Sequence, residues 1–202
     1  MSFHKGMPMR LKTDAPGWRK TWRRLVVCLV VALTLVPLPA MALTFTSPWQ
    51  SAITTAGGPK PPTPTFSDAT NGGQDDLFVD MGTYQGKNKA ALSVISLERQ
   101  ISVPSAGEAI NFAHAFATDF KQGGVDVAVA VYDSSGHLVA TPITFDQQTN
   151  STVFTTISAV QSASQSFAGG NYILSVGIAY NTNNKVGGWN NKSVHHFEFL
   201  GL

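Results

Sequence analysis

An all-β fold, an antiparallel β-sandwich of jelly-roll-like type, is the class this sequence predicts. Three observations predict it. Apolar residues recur with period two in short runs, Gly, Asn, Asp and Ser punctuate those runs, and no long amphipathic helix is written into the chain. Many short strands separated by turn signals bury their apolar faces best as two packed antiparallel sheets.

The first 42 residues stand apart from this pattern. Residues 1–24 carry seven Lys/Arg against the single acid Asp14, and Leu25–Ala42 is apolar and uncharged. Pro37, Pro39 and the small-x-small triplet Ala40-Met41-Ala42 close the segment, as in a secretory signal peptide cleaved before Leu43. The alternative is an uncleaved amino-terminal membrane anchor, since eighteen apolar residues are marginally enough to span a bilayer. Without this segment, the chain's 14 Lys/Arg and 12 Asp/Glu fall to seven and eleven, a net charge of −4. That balance argues against a nucleic-acid partner, which needs a basic folded surface. The one cysteine, Cys28, lies in the apolar run, so the remainder offers no disulfide, thiol nucleophile or thiolate metal ligand.

Residues 43–65 read as an amino-terminal arm followed by a Pro/Gly-rich spacer, because Ala56–Thr65 holds four prolines. The sandwich is expected over 66–202. Strand candidates are 76–81, 93–103, 125–133, 141–146, 151–157, 170–180 and 193–201. In 93–103, Ile95, Leu97, Ile101 and Val103 share one face with Arg99 as the odd member. Asp133-Ser134-Ser135-Gly136 is a hairpin turn signal. Residues 109–120 are ambiguous. Phe112, Phe116 and Phe120 make a helical face, yet strand alternation aligns Ile110, Phe112, His114, Phe116 and Phe120, and the flanking strands favour the latter.

The run from Gly123 to Ala140, followed by 168–180, resembles the bacterial prepeptidase C-terminal domain family. The matching positions are Asp126, Tyr132, Asp133, Gly136, Gly170, Tyr172, Leu174 and Val176. The resemblance implies an exported sandwich in an accessory role, sometimes with calcium or glycan binding. It concerns hairpin and core positions rather than activity.

Three clusters carry candidate chemistry. Asp68, Asn71, Asp75 and Asp76 surround Gly72-Gly73 and are a candidate calcium site, although the spacing is not that of an EF-hand; the alternative is a capped polar turn. Trp189, Asn190 and Asn191, with Tyr180 at the loop base, are a candidate glycan platform of an exposed ring flanked by amides; the alternative is a tryptophan plugging the sandwich end. Strand alternation sends His195 and His196 to opposite faces, leaving His196 and Glu198 as two possible metal ligands that lack a third. No nucleophile elbow is present, but a carboxylate pair across strands stays open as an enzymatic acid/base pair. The expected function is that of a secreted, non-catalytic protein binding a glycan or extracellular-matrix ligand, in contact with membrane only through the leader if uncleaved. The alternatives are a jelly-roll hydrolase or lyase acting on extracellular polysaccharide, and a structural surface-layer component.

Overall fold

The computed structural model describes residues 43–57, 61–71, 73–86, 90–183, 186–190 and 194–202, with the backbone alone at Asn71. These residues form thirteen strands and no helix, in two antiparallel sheets packed as a sandwich. The all-β expectation is met, and 109–120 is strand.

The first sheet contains β1 (Thr44–Phe45), β2 (Gln50–Gly57), β6 (Ala91–Val103), β8 (Gly123–Asp133), β9 (Leu138–Thr149) and β11 (Gly170–Thr182). Its order is β6–β11–β8–β9, with β1 and β2 both paired to the outer edge of β6. The second contains β3 (Thr65–Asn71), β4 (Gln74–Asp80), β5 (Tyr84–Gln85), β7 (Glu108–Lys121), β10 (Thr155–Phe167), β12 (Gly188–Asn190) and β13 (Val194–Gly201). Here the order is β3–β4–β13–β7–β10, and β12 with β5 continues the β13 edge of β7. Within the expected amino-terminal arm, residues 44–45 and 50–57 therefore pair with β6 as strands. Thr65–Asn71, which carries Asp68 and Asn71 of the candidate calcium cluster, pairs with β4 throughout.

Period two does the sorting. Val125, Val127, Val129 and Val131 of β8 are buried beside Leu174, Val176, Ile178 and Tyr180 of β11. Phe112, Phe116 and Phe120 of β7, with Phe197 and Phe199 of β13, face them from the other sheet. One residue, Gln122, carries the chain from β7 in one sheet to β8 in the other, at φ 46°. Gly123 follows because a Cβ there would stand 2.3 Å from the carbonyl oxygen of Asn181. The 133–136 hairpin forms as expected. Asp133 Oδ1 accepts from the amides of Ser135 and His137 at 2.8 and 2.9 Å, and Gly136 takes φ 81°.

Two polar assemblies interrupt the apolar interior. Arg99 on β6 points inward and crosses to Asp75 on β4, Nη1 to Oδ1 at 2.8 Å, with the arginine 7% and the aspartate 0% exposed. Trp49 Nε1 donates to Asp75 Oδ2 at 3.0 Å and the Thr70 hydroxyl donates to Oδ1 at 2.8 Å. Arg99 Nε donates to the Ser47 carbonyl at 2.7 Å, and its guanidinium lies 4.7 Å from the Phe45 ring centroid. The second assembly is a hydrogen-bonded chain. The Thr118 hydroxyl lies 2.8 Å from that of Tyr180, which lies 2.7 Å from His195 Nε2; His195 Nδ1 lies 3.0 Å from His114 Nε2. Phe116 stacks on His195 and Phe197 on His114, with centroids 4.5 and 4.4 Å apart. Desolvation pushes His114 down to about 4, eased by the Gln161 side chain and deepened by His196. Desolvation and then the neighbouring His114 hold His195 well below its ordinary value.

Both imidazoles are thus neutral in the fold, whereas free histidine titrates near about 6.5. Below that pH the unfolded chain binds more protons than the native one, so stability falls with falling pH. Urea midpoints should be flat above about pH 6.5 and drop towards pH 4, with His114 alone contributing a loss on the order of 3 kcal/mol. A His114→Gln/His195→Gln variant should show a flatter acid limb. Asp75→Ala should cost about 3–5 kcal/mol in urea unfolding, because it strands a buried guanidinium. Arg99→Met combined with Asp75→Leu should recover part of that loss.

Candidate functional site

The structure does not assemble the predicted sites as the sequence suggested. Trp189 has no exposed surface. Its strand, β12, pairs with both Phe120 of β7 and Tyr84 of β5, which turns the indole inward. There it packs 4.9 Å from Tyr84 and edge-on to Tyr180 at 5.5 Å. A large aromatic at the sandwich end gains more from burial than from exposure. Tyr180 is itself buried, its hydroxyl engaged by Thr118 and His195. Asn190 is half-buried and Asn191 lies outside the described residues. The expected exposed ring is therefore corrected: Trp189 is core.

The acidic set is divided by strand alternation. Asp75 faces inward and is taken up by Arg99, Trp49 and Thr70. Asp68 lies 3.6 Å from the same guanidinium. Asp76, one residue on, faces the other side of the sheet. The side chain of Asn71 lies outside the described residues. Asp75 and Asp76 thus do not converge as a calcium bowl requires.

Asp76 instead meets β13. Glu198 is directly opposite Asp76 in register, and His196 is opposite Phe78. His196 Nε2 lies 3.3 Å from Asp76 Oδ1 and 3.7 Å from Glu198 Oε1. The imidazole lies parallel to the Phe78 ring, with centroids 4.4 Å apart and an interplanar angle of 1°. Burial raises the Glu198 carboxyl above its ordinary range; His196 lowers it and Asp76 raises it further. Small residues flank this ridge in both directions: Ser67 and Ala69 on β3, and Ala113 and Ala115 on β7. Phe78 is 37% exposed among them.

The trio offers one nitrogen and two carboxylates within 4.8 Å of one another. Two ligands about 2.0–2.1 Å from a tetrahedral ion sit about 3.3 Å apart, close to the 3.3 and 3.7 Å that separate His196 Nε2 from the two carboxylates. Calcium asks for about six to eight oxygens and a larger cage. The donors therefore suit a zinc-type ion. Sequence reasoning placed His196 and Glu198 on one face, but missed Asp76 because its pairing depends on a register across 120 residues.

No protein-family model matches the chain, and no curated protein is similar to it. Among solved structures, it is similar to TmCBM61 in complex with β-1,4-galactotriose, at 11% identity over 77% of this chain and 88% of that one, TM-score 0.35. It is also similar to the CBM22-1 xylan-binding domain of Paenibacillus barcinonensis Xyn10C, at 13% identity over 80% and 97%, TM-score 0.26. A third is the carbohydrate-binding module CBM6cm-2 of Cellvibrio mixtus lichenase 5A in complex with cellotriose, at 14% identity over 70% and 89%, TM-score 0.25. Identities and scores this low carry no residue-level correspondence.

The ligand spacing predicts that Zn²⁺, and not Ca²⁺, raises the melting temperature. At a free concentration about 100-fold above Kd the gain is about 2.7 kcal/mol, several degrees for a chain of this size. Differential scanning fluorimetry of wild type and His196→Ala checks this, since the shift should vanish in the variant.

Proposed function

We propose that the chain is an exported, non-catalytic β-sandwich that binds a glycan on the outer face of its second sheet, at the ridge formed by Phe78, Asp76, His196 and Glu198. The observation that carries this reading is the partly exposed Phe78 ring, stacked on His196 and flanked by two carboxylates. One ring face is occupied by the imidazole. Across the other strand stands Ser67, too short to cover the second face. A pyranose can rest its apolar C–H face on such a ring, while the carboxylates and imidazole bond to its hydroxyls. The troughs of Ser67, Ala69, Ala113 and Ala115 leave room beside the ridge for a chain to continue in either direction. Export is supported by the basic and apolar leader ending in Ala40-Met41-Ala42.

Affinity electrophoresis through gels containing xylan, β-1,4-galactan or mixed-linkage glucan tests the assignment. At least one polymer should retard the protein. Phe78→Ala should weaken binding up to about tenfold, the equivalent of about 1.4 kcal/mol of stacking, with an unchanged melting temperature. Absence of retardation by every polymer, or full retention in Phe78→Ala, would count against the reading.

A further inference from the structure

Glu108, the first residue of β7, is 6% exposed, and no side chain hydrogen-bonds either of its carboxylate oxygens. Among the described residues no Lys, Arg or His forms an ion pair with it. Such a carboxylate is costly, because its charge has lost water and gained at most one backbone N–H in return. Desolvation accordingly pushes its pKa up; the one group that pulls it back is the backbone N–H of Leu43.

Leu43 is the residue at which the leader motif places scission. Its side chain is buried, and it meets Glu108 over the bare Cα of Gly201. A Cβ built on that glycine would stand 2.3 Å from Glu108 Oε1 and 2.7 Å from Leu43 Cβ, so these two atoms are no more than about 5 Å apart. The amide of Leu202 donates to the carbonyl of Ala109 at 2.9 Å, so the end of β13 seals the same corner. The carboxylate, the Leu43 nitrogen and the bare side of Gly201 thus meet at one corner, where a small cation would supply the missing counter-charge.

We propose that this cation is the α-ammonium of Leu43 itself, released by hydrolysis of the Ala42–Leu43 bond, and that processing thereby completes the fold. Water adds across the peptide bond: Ala42 leaves with a carboxylate, and the Leu43 nitrogen takes up protons to become an ammonium. A peptidase specific for small residues before the cut bond supplies the catalysis. A free α-amine titrates near about 7.7–8.0, so it is charged at neutral pH before any help from Glu108. A weak N–H dipole at the carboxylate becomes a full charge, and a buried acid without a counter-charge becomes half of an ion pair. Gly201 matters because any side chain there would occupy the shared space. The proposal rests on the leader reading and is independent of glycan binding.

The test uses the full chain, expressed through its export route, with the processed product isolated. Mass spectrometry should show Leu43 as its first residue. The α-amine should then react with an N-hydroxysuccinimide ester at neutral pH at least about tenfold more slowly in the folded protein than in urea. Glu108→Gln should restore much of that reactivity and lower the melting temperature; should this variant fail to fold, Glu108→Asp serves the same comparison. A mature terminus elsewhere would overturn the proposal. So would an α-amine that labels equally fast folded and unfolded, or protection unchanged by loss of the carboxylate. Failure here leaves polysaccharide retardation untouched, so the two readings can fail separately.

Discussion

The Arg99–Asp75 pair ties together parts of the molecule that apolar packing alone would leave loosely ordered. Hydrophobic contact between two sheets is non-directional, so it sets their separation better than their sliding. A guanidinium from β6 that reaches a carboxylate on β4 sets both, because its planar N–H donors have fixed directions. The same guanidinium holds the chain before β2 through the Ser47 carbonyl and the Phe45 ring, while Asp75 holds it through the Trp49 indole. One ion pair thus joins both sheets and the amino-terminal strands. In return, the fold must bury two charges, a cost that the further hydrogen bonds to Thr70, Trp49 and Ser47 offset.

The histidine chain follows a different logic. His114, His195, Tyr180 and Thr118 enter the core neutral and hydrogen-bond one another, with phenylalanines stacked on the imidazoles. Neutral partners avoid the desolvation cost of charge but fix a direction, since each neutral imidazole has one N–H to give. If Tyr180 donates to His195, then His195 must donate to His114, whose proton sits on Nδ1. The core thereby has a specific internal pattern as well as a volume to fill.

Much of the fold was legible because alternation is a local signal. The buried faces of β6, β8, β11 and β13 can be read from a dozen residues each, and so can the opposite placement of His195 and His196. Arg99 was visible as an anomaly on an apolar face, although nothing nearby named its partner. What stayed hidden depended on distant pairing. Trp189 sits in a stretch of Asn and Gly that reads as loop; its burial comes from Tyr84, about a hundred residues earlier. Thr44–Gly57 looked like an arm because of the prolines that follow, yet the edge of β6 was available to pair it. Asp75 and Asp76 looked like one acidic cluster because sequence proximity conceals that a strand separates neighbours.

That last point governs the candidate site. On β4 and β13 every residue that builds the ridge has a neighbour that builds the core: Asp76 beside Asp75 and Leu77, His196 beside His195 and Phe197, Glu198 beside Phe197 and Phe199. The outward groups owe their spacing to register, and the register is held by the inward ones, since a slip of one residue would exchange the two faces. The ridge therefore needs no loop to position it. Its polar groups stand on paired strands, with Phe78 and His196 stacked in parallel because their strands are hydrogen-bonded neighbours. Evolution of such a surface can proceed by changing outward residues alone, provided the inward alternation is kept. Changes at Asp75, His195 or Phe197 should disturb the ridge without touching any ligand, by loosening the register that brings Asp76 and His196 together.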